Sequence, residues 1–148
     1  MNHKEKNLSN TLKGYFLQEK FFVDKIESRL TTAGIPDLLV LTPSGQQNFI
    51  ELKVVEEDMK INLTPGQVSW HSKRRMRHNS TPFIIYIEPI KKIIVATSLK
   101  VLDLIEKGRK IDLDQIPEEC FFSRSAKDYA LLSYAATDLY YTSPRVYK

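Results

Sequence analysis

An acidic and a basic side chain, two positions apart in an otherwise apolar run, are the residues best suited to chemistry in this chain. The run covers residues 48–55 and is typical of a buried strand. Because side chains alternate between the two faces of a strand, Glu51 and Lys53 project together from one face. A charged pair in a central strand carries a desolvation cost unless a partner or a hydrated cleft compensates it. This cost invites a functional explanation, although the Glu-x-Lys spacing alone favours a solvated surface pair.

A second carboxylate stands at the start of the preceding apolar run. Asp37 begins residues 37–41, which a turn at residues 43–46 connects to the strand that carries Glu51. Such a hairpin can bring the two carboxylates together around one hard cation such as Mg²⁺, with the peptide carbonyl of Leu52 as a further oxygen ligand. Lys53 would then polarise an attacking water or neutralise charge on a scissile phosphate. The alternative for Asp37 is an ordinary turn residue.

The elements that must position these residues follow one another closely. Helices are predicted for residues 7–20, 65–77 and 98–107, and strands for residues 21–28, 37–41, 48–55, 83–88 and 91–97. The middle helix has the clearest start, with Thr64 as its N-cap, Pro65 at its first position and Gln67 three residues after the cap. This order predicts an α/β fold with a mixed central β-sheet flanked by helices.

The length of 148 residues suits one compact domain with a terminal appendage. We expect residues 1–109 to form the domain and residues 110–148 to form a C-terminal helical extension, with a helix over residues 126–140. The extension would pack on the core or on the mate in a homodimer. The apolar side chains available for that contact are Leu131, Leu132, Tyr134, Leu139 and Tyr140.

Charge is distributed unevenly along the chain. Residues 60–110 carry 11 Lys and Arg against three Asp and Glu, whereas residues 1–59 carry seven against nine. A basic middle beside an acidic first part predicts a polyanion-binding surface next to a cluster of carboxylates, and nucleic acid with a metal ion fits both. The candidate phosphate contacts, for which a solvated polar face is the alternative, are Lys73, Arg74, Arg75, Arg77, Lys91 and Lys92.

Several classes of protein and site are disfavoured. The single cysteine, Cys120, excludes an internal disulfide and a cysteine-based zinc site. His71 and His78 have no partner spacing that supports a metal site or a general base, so we interpret them, like Trp70, as structural. No apolar run is long enough to span a bilayer, and the first residues lead into no signal-peptide core. We therefore expect an intracellular, cytoplasmic protein.

Three segments of the sequence, in their order and spacing, resemble the PD-(D/E)XK nuclease superfamily. They read GIPD at residues 34–37, FIELK at residues 49–53 and LTPGQVSW at residues 63–70. Within the superfamily the chain is most similar to the small stand-alone VRR-Nuc proteins of phages and bacteria, over roughly residues 21–97. It lacks the Val-Arg-Arg element for which VRR-Nuc is named.

The resemblance implies a restriction-endonuclease-like fold and a role for each matching residue. Asp37 and Glu51 would be the metal-binding carboxylates and Lys53 the catalytic lysine. Gln67 would border the active site, which is compatible with its capping role. The superfamily often adds an upstream glutamate, for which Glu27 is favoured and Glu19 is the alternative. The implied cofactor is Mg²⁺, with Mn²⁺ expected to substitute.

The activity implied is that of a divalent-metal-dependent DNA endonuclease. The favoured substrate is branched DNA such as a Holliday junction, because stand-alone relatives of this size act there. A flap, nicking or restriction-type nuclease is the alternative enzyme. A catalytically silent DNA-binding module on the same fold is the alternative outside enzymes. Resolving a four-way junction takes two cuts, so a homodimer is expected.

Overall fold

The computed structural model describes residues 2–77 and 81–124 of the chain. Its helices and strands, in chain order, are α1 (His3–Gln18), β1 (Phe22–Lys25), α2 (Ser28–Thr32), β2 (Leu38–Leu41), β3 (Gln47–Val55), α3 (Pro65–Met76), β4 (Pro82–Ile87), β5 (Lys92–Thr97), α4 (Ser98–Glu106) and β6 (Phe122–Ser123). Short 3-10 turns lie at Glu88–Ile90, Leu113–Gln115 and Glu118–Cys120. None of the helices in the described ranges is long and apolar enough to cross a membrane.

All six strands form one sheet, in the same order as in the sequence. β3 and β4 are parallel, with Glu51 opposite Phe83, and the other neighbouring strands are antiparallel. A parallel neighbour requires a crossover, and α3 lies in the segment that makes it. The predicted α/β class, a mixed central sheet flanked by helices, is therefore confirmed.

Helices cover both faces of the sheet, and each face has its own apolar core. On one face α1 buries Leu8, Leu12 and Phe16 against side chains that include Ile50 and Leu52 of β3. On the other face α4 packs on β4 and β5, and α3 packs beside α4. β3 therefore lies in the interior with helices above and below it, so a charged side chain from β3 enters a largely dehydrated environment.

Two elements near the N-terminus differ from the sequence prediction. Helix α1 begins at His3, four residues earlier than expected, because the side chain of Asn2 caps it by accepting a hydrogen bond from the Glu5 amide at 2.8 Å. The strand expected over residues 21–28 is shortened to Phe22–Lys25. Its partner β2 offers four residues for pairing, so the chain beyond Lys25 has no strand beside it and turns into α2 instead.

The segment after residue 109 belongs to the same unit as the rest. Ile111, Ile116 and Cys120 are buried in the apolar core beneath α4, and β6 pairs with β5 as the sixth strand. The first part of the expected extension thus lies on the core, which is one of the two arrangements expected for it, and its described residues form 3-10 turns and a strand. The helix expected over residues 126–140, and with it the proposed dimer contact, lies outside the described residues.

Two glycines allow the turn before β2 to approach the first turn of α3. Gly34 has a φ of 107°, a conformation that side chains disfavour, and a Cβ built on it would lie 2.3 Å from the carbonyl oxygen of Gly66. A Cβ on Gly66 would in turn lie 3.1 Å from the carbonyl oxygen of Ala33. This backbone contact brings the loop that carries Asp37 next to the start of α3.

Candidate active site

Two residues of helix α3 contact two residues of β3, one pair each. The two residues that α3 buries, Gln67 and His71, are four positions apart, a rise of about 6 Å along a helix. Glu51 and Lys53 are two positions apart in β3, a rise of about 6.6 Å along a strand. Because the rises are similar, Gln67 meets Lys53 while His71 meets Glu51. The helix therefore provides one hydrogen-bond partner for each charged residue of the strand.

Gln67 makes the predicted capping box and also contacts Lys53. Its backbone N–H donates to the Thr64 hydroxyl oxygen at 3.1 Å, and its side-chain Oε1 accepts from the Thr64 amide at 3.0 Å, which completes a capping box. The same Oε1 also accepts from Lys53 Nζ at 3.1 Å. The capping box fixes the amide oxygen, and that oxygen in turn orients the lysine.

Asp37 and Glu51 form a buried pair of carboxyl groups. Asp37 is 4% exposed and Glu51 is fully buried. Asp37 Oδ2 accepts a hydrogen bond from the Leu52 amide at 2.9 Å, which ties the end of the loop to the middle of β3. Burial, followed by the adjacent Glu51, raises the pKa of Asp37 to about 8, against the ordinary value of 3.8. Burial also raises the pKa of Glu51. Each carboxyl therefore resists ionisation unless a positive charge arrives.

His71 completes the surroundings of Glu51. Its Nε2 lies 3.1 Å from Glu51 Oε1, and both side chains are fully buried. Burial, with Lys53 and Arg74 nearby, lowers the pKa of His71 to about 3, so the contact is a hydrogen bond that involves a neutral imidazole rather than an ion pair. The structural interpretation of His71 was incomplete, because its partner is 20 residues away in sequence and no local spacing signals the contact.

The carboxyl pair fits a cation in its chemistry. Glu51 Oε2 is buried and has no hydrogen-bond donor among the described residues. If Asp37 and Glu51 were both ionised, neither could donate a hydrogen bond to the other. The buried Oε2 of Glu51 is therefore stabilised only by protonation or by a cation. Hard oxygen donors of this kind suit Mg²⁺ or Mn²⁺. In residues 2–77 and 81–124, no three His, Cys, Asp or Glu side chains converge as a metal site, so a cation held by the pair would take its other ligands from water, substrate or a peptide carbonyl.

An open cavity of about 920 Å³ reaches Asp37 of the pair, whereas Glu51 lies behind its lining. Asp37, Lys53 and Gln67 line it, together with Glu5 from the first turn of α1. Burial raises the pKa of Glu5. The charge of Lys53 lowers this pKa and the charge of Asp37 raises it, so Glu5 interacts with both residues. Sequence reasoning missed Glu5, because the helix was expected to begin after it. The Asn2 cap is the signal that would have extended the helix.

The upstream acids expected from the resemblance are placed elsewhere. Glu27 precedes α2, its side chain is 73% exposed, and it lies 3.7 Å from Arg29 at the surface. Glu27 is not among the residues that line the cavity. Glu19 caps the far end of α1, about 20 Å from Glu5 by the helical rise. The structure therefore does not bring Glu27 to the pair. Several glutamates line the cavity, and Glu5 is one whose charge interacts with Asp37.

The basic residues expected to contact phosphate divide into two groups. On α3, Lys73, Arg74 and Arg77 line a second cavity, of about 500 Å³, on the outer side of the helix. The Arg74 guanidinium stacks on the Trp70 ring at 4.0 Å, which pre-orients it. Arg75 of the same helix is exposed.

The second basic group lies at the other end of the sheet. Lys91 and Lys92 are exposed before and at the start of β5. In the sheet, Lys92 of β5 pairs with Ile87 of β4, which pairs with Val55 of β3. The Arg74 guanidinium lies over the ring of Phe49, which is six residues before Val55 in β3. That is about 20 Å of strand, and the carboxyl pair lies between the two groups.

This chain is similar to some solved structures. Nine solved chains match. One, described as a VRR_NUC domain, is 25% identical to this chain, covers 72% of this chain and 99% of its own length, and has a TM-score of 0.43. No family model and no curated protein match the chain. A likeness at this level assigns no activity by itself.

Proposed function

We propose that the chain is a divalent-metal-dependent endonuclease that hydrolyses the phosphodiester backbone of DNA. The observation that carries the proposal is the buried Asp37–Glu51 pair with Lys53 on the same face of β3, beside an open cavity. Buried acids that lack a full set of donors are destabilising for a fold, so their presence favours a functional use.

The residues of the site divide the work. Asp37 and Glu51 would hold Mg²⁺, with the Leu52 carbonyl and solvent as further ligands. The bound ion would activate the attacking water and polarise the scissile phosphate. Lys53 Nζ stabilises the negative charge that develops on the phosphate, and Gln67 Oε1 holds this lysine in place at 3.1 Å. Glu5 adds negative charge to the lining of the cavity and would help to attract a cation there.

DNA is the proposed substrate because cations flank the site at both ends of β3. A duplex presents regularly spaced phosphates, and lysine and arginine bind them without regard to sequence. Acidic residues also line the cavity, and two of them, Glu56 and Glu88, pair with Lys4 at 3.4 and 2.8 Å. The charge pattern therefore supports phosphate contacts on the flanks and cation binding at the centre.

The test is cleavage of supercoiled plasmid in Mg²⁺, Mn²⁺ or chelator. Asp37→Asn and Glu51→Gln keep the shape of each side chain and remove its charge, so each should abolish cleavage and weaken metal binding. Asp103→Asn is the matched control, because this carboxylate pairs with Lys107 on α4 and is not among the cavity-lining residues. Undiminished cleavage by either site variant in the presence of metal would refute the assignment.

We further propose branched DNA as the preferred substrate and a homodimer as the active form. A symmetric dimer offers two sites for the two cuts that a four-way junction needs. A panel of linear, flap and four-way substrates tests the preference, and light scattering with and without junction DNA tests the assembly. Equal rates on all substrates, or a monomer in both conditions, would remove this part of the proposal and leave the nuclease assignment.

A further inference from the structure

Helix α3 buries a second side chain, that of His71, which contacts Glu51 and has no part in the proposed chemistry. His71 Nε2 lies 3.1 Å from Glu51 Oε1, and the other imidazole nitrogen, Nδ1, has no hydrogen-bond partner among the described residues. A fully buried polar ring with one of its two nitrogens unpaired is unfavourable as core filling. The contact with Glu51 is therefore its distinctive feature.

The ring is held rigidly from two sides. The Phe83 ring lies 4.7 Å from it, at the residue that pairs with Glu51 across β3 and β4. The Trp70 ring lies 5.0 Å away in an edge arrangement. Packed aromatic neighbours restrict both torsions of the imidazole, so the direction of Nε2 is set before any ligand binds.

We propose that His71 is a positioning residue that orients Glu51 for metal binding. It donates its Nε2–H to Oε1 and so leaves Oε2, the oxygen without a donor among the described residues, for the cation. The inference rests on the proposed function and adds a role that is not part of the metal ligand set. Partners that hydrogen-bond to a ligating carboxylate fix its orientation, and their loss weakens metal affinity by about 10- to 100-fold.

The same helix then supports both charged residues of β3 by one device. Gln67 orients Lys53 and His71 orients Glu51, each through a contact of 3.1 Å. The two supports differ in chemistry because the partners differ: the lysine needs an acceptor, which the amide oxygen provides, and the carboxylate needs a donor. A shift of α3 along β3 would disturb both at once.

The experiment compares His71→Leu with His71→Gln. Leucine fills similar space without a donor, whereas the amide nitrogen of glutamine lies at nearly the same distance from the backbone as imidazole Nε2. We expect His71→Leu to weaken Mn²⁺ binding, measured by calorimetry or electron paramagnetic resonance, by about tenfold or more. His71→Gln should restore most of that affinity. Cleavage by His71→Leu should recover when the metal is raised to saturation.

Two further measurements separate positioning from general stability. Circular dichroism must show that His71→Leu is folded; if it is not, the comparison of His71→Gln with His71→Asn replaces it, since the asparagine amide is too short to reach Glu51. The nitrogen-15 spectrum of the Mg²⁺-saturated wild-type chain should show the ring proton of His71 on Nε2. A proton on Nδ1, or wild-type Mn²⁺ affinity in the variant that lacks the donor, would overturn the role of His71.

Failure of the proposed function gives a different result. If the wild-type chain bound neither Mg²⁺ nor Mn²⁺, the nuclease assignment would fail, and the role of His71 would fail with it. If the wild-type chain bound metal and cleaved DNA while His71→Leu did so equally well, the role of His71 alone would fail. The plasmid assay with Asp37→Asn is therefore run beside the His71 series.

Discussion

Replacing Asp37 by asparagine should make the metal-free protein more stable while it abolishes cleavage. In the folded chain, burial raises the pKa of this carboxyl to about 8, against 3.8 ordinarily. The folded state therefore holds a proton that the unfolded state has released over that pH interval. An acid with a raised pKa contributes its stability at low pH and loses it as the pH rises towards the folded pKa.

The size of the effect follows from that interval. Each pH unit between about 4 and 8 lowers the free energy of unfolding by up to about 1.4 kcal/mol for one such group, so the upper bound is roughly 6 kcal/mol. Asparagine does not ionise, and its side-chain oxygen can still accept from the Leu52 amide. We expect metal-free Asp37→Asn to gain about 2 to 5 kcal/mol near pH 8, or on the order of 10 °C in Tm.

Thermal unfolding in chelator, followed by circular dichroism from about pH 5 to pH 8, measures this. The gain of Asp37→Asn over wild type should be small at the acid end and grow with pH, and Asp103→Asn should show no such growth. Saturating Mg²⁺ should stabilise the wild type at high pH and reverse the order of the two proteins, because the cation replaces the proton. A stability difference that stays constant with pH would refute the account of a desolvated acid pair.

Three other variants test separate parts of the site. Lys53→Ala should slow cleavage by about 100-fold or more while it retains most of the Mn²⁺ affinity, because the lysine acts on the developing charge. Cleavage rates and calorimetry on the same preparation measure this, and an equal loss of rate and affinity would contradict it. Replacing Arg74 and Arg77 by glutamine should weaken DNA binding similarly for all sequences and lower the slope of log affinity against log salt concentration by up to about 2. Fluorescence anisotropy measures this slope, and an unchanged slope would count against phosphate contacts. Gly34→Ala should destabilise the fold by roughly 2 kcal/mol or more, because its Cβ would lie 2.3 Å from the Gly66 carbonyl oxygen and its φ is 107°; denaturant unfolding measures this, and a wild-type midpoint would show that the two turns separate easily.

Local chemistry in the sequence was enough to predict the centre of the site. Alternation along β3 placed Glu51 and Lys53 on one face, and the hairpin to β2 brought Asp37 beside them. The capping box at Thr64 and Gln67 could be predicted from the sequence because its hydrogen bonds join residues that are three positions apart. Strand alternation and helix capping depend on near neighbours in the chain, so the residues that produce them can be recognised without knowing the fold.

The packing of α1 decided that Glu5, rather than Glu27, lies near Asp37. Glu27 lies close to Asp37 in sequence, yet α2 begins directly after it and turns it to the surface. Glu5 is 32 residues before Asp37 but reaches the same cavity, because α1 crosses the face of β3 and presents its first turn there. Distance along the chain therefore carried little information about distance in the fold.

The partner of Glu51 also depended on the tertiary structure. His71 reaches it because α3 runs along β3 with nearly equal axial rises, a match that exists only once the two glycines bring the α3 start against the turn before β2. The sequence by itself determined which residues share a strand face and where the helix begins. Which acid and which base meet them was decided by helix placement, because burial and pairing are properties of surfaces that come together only in the folded chain.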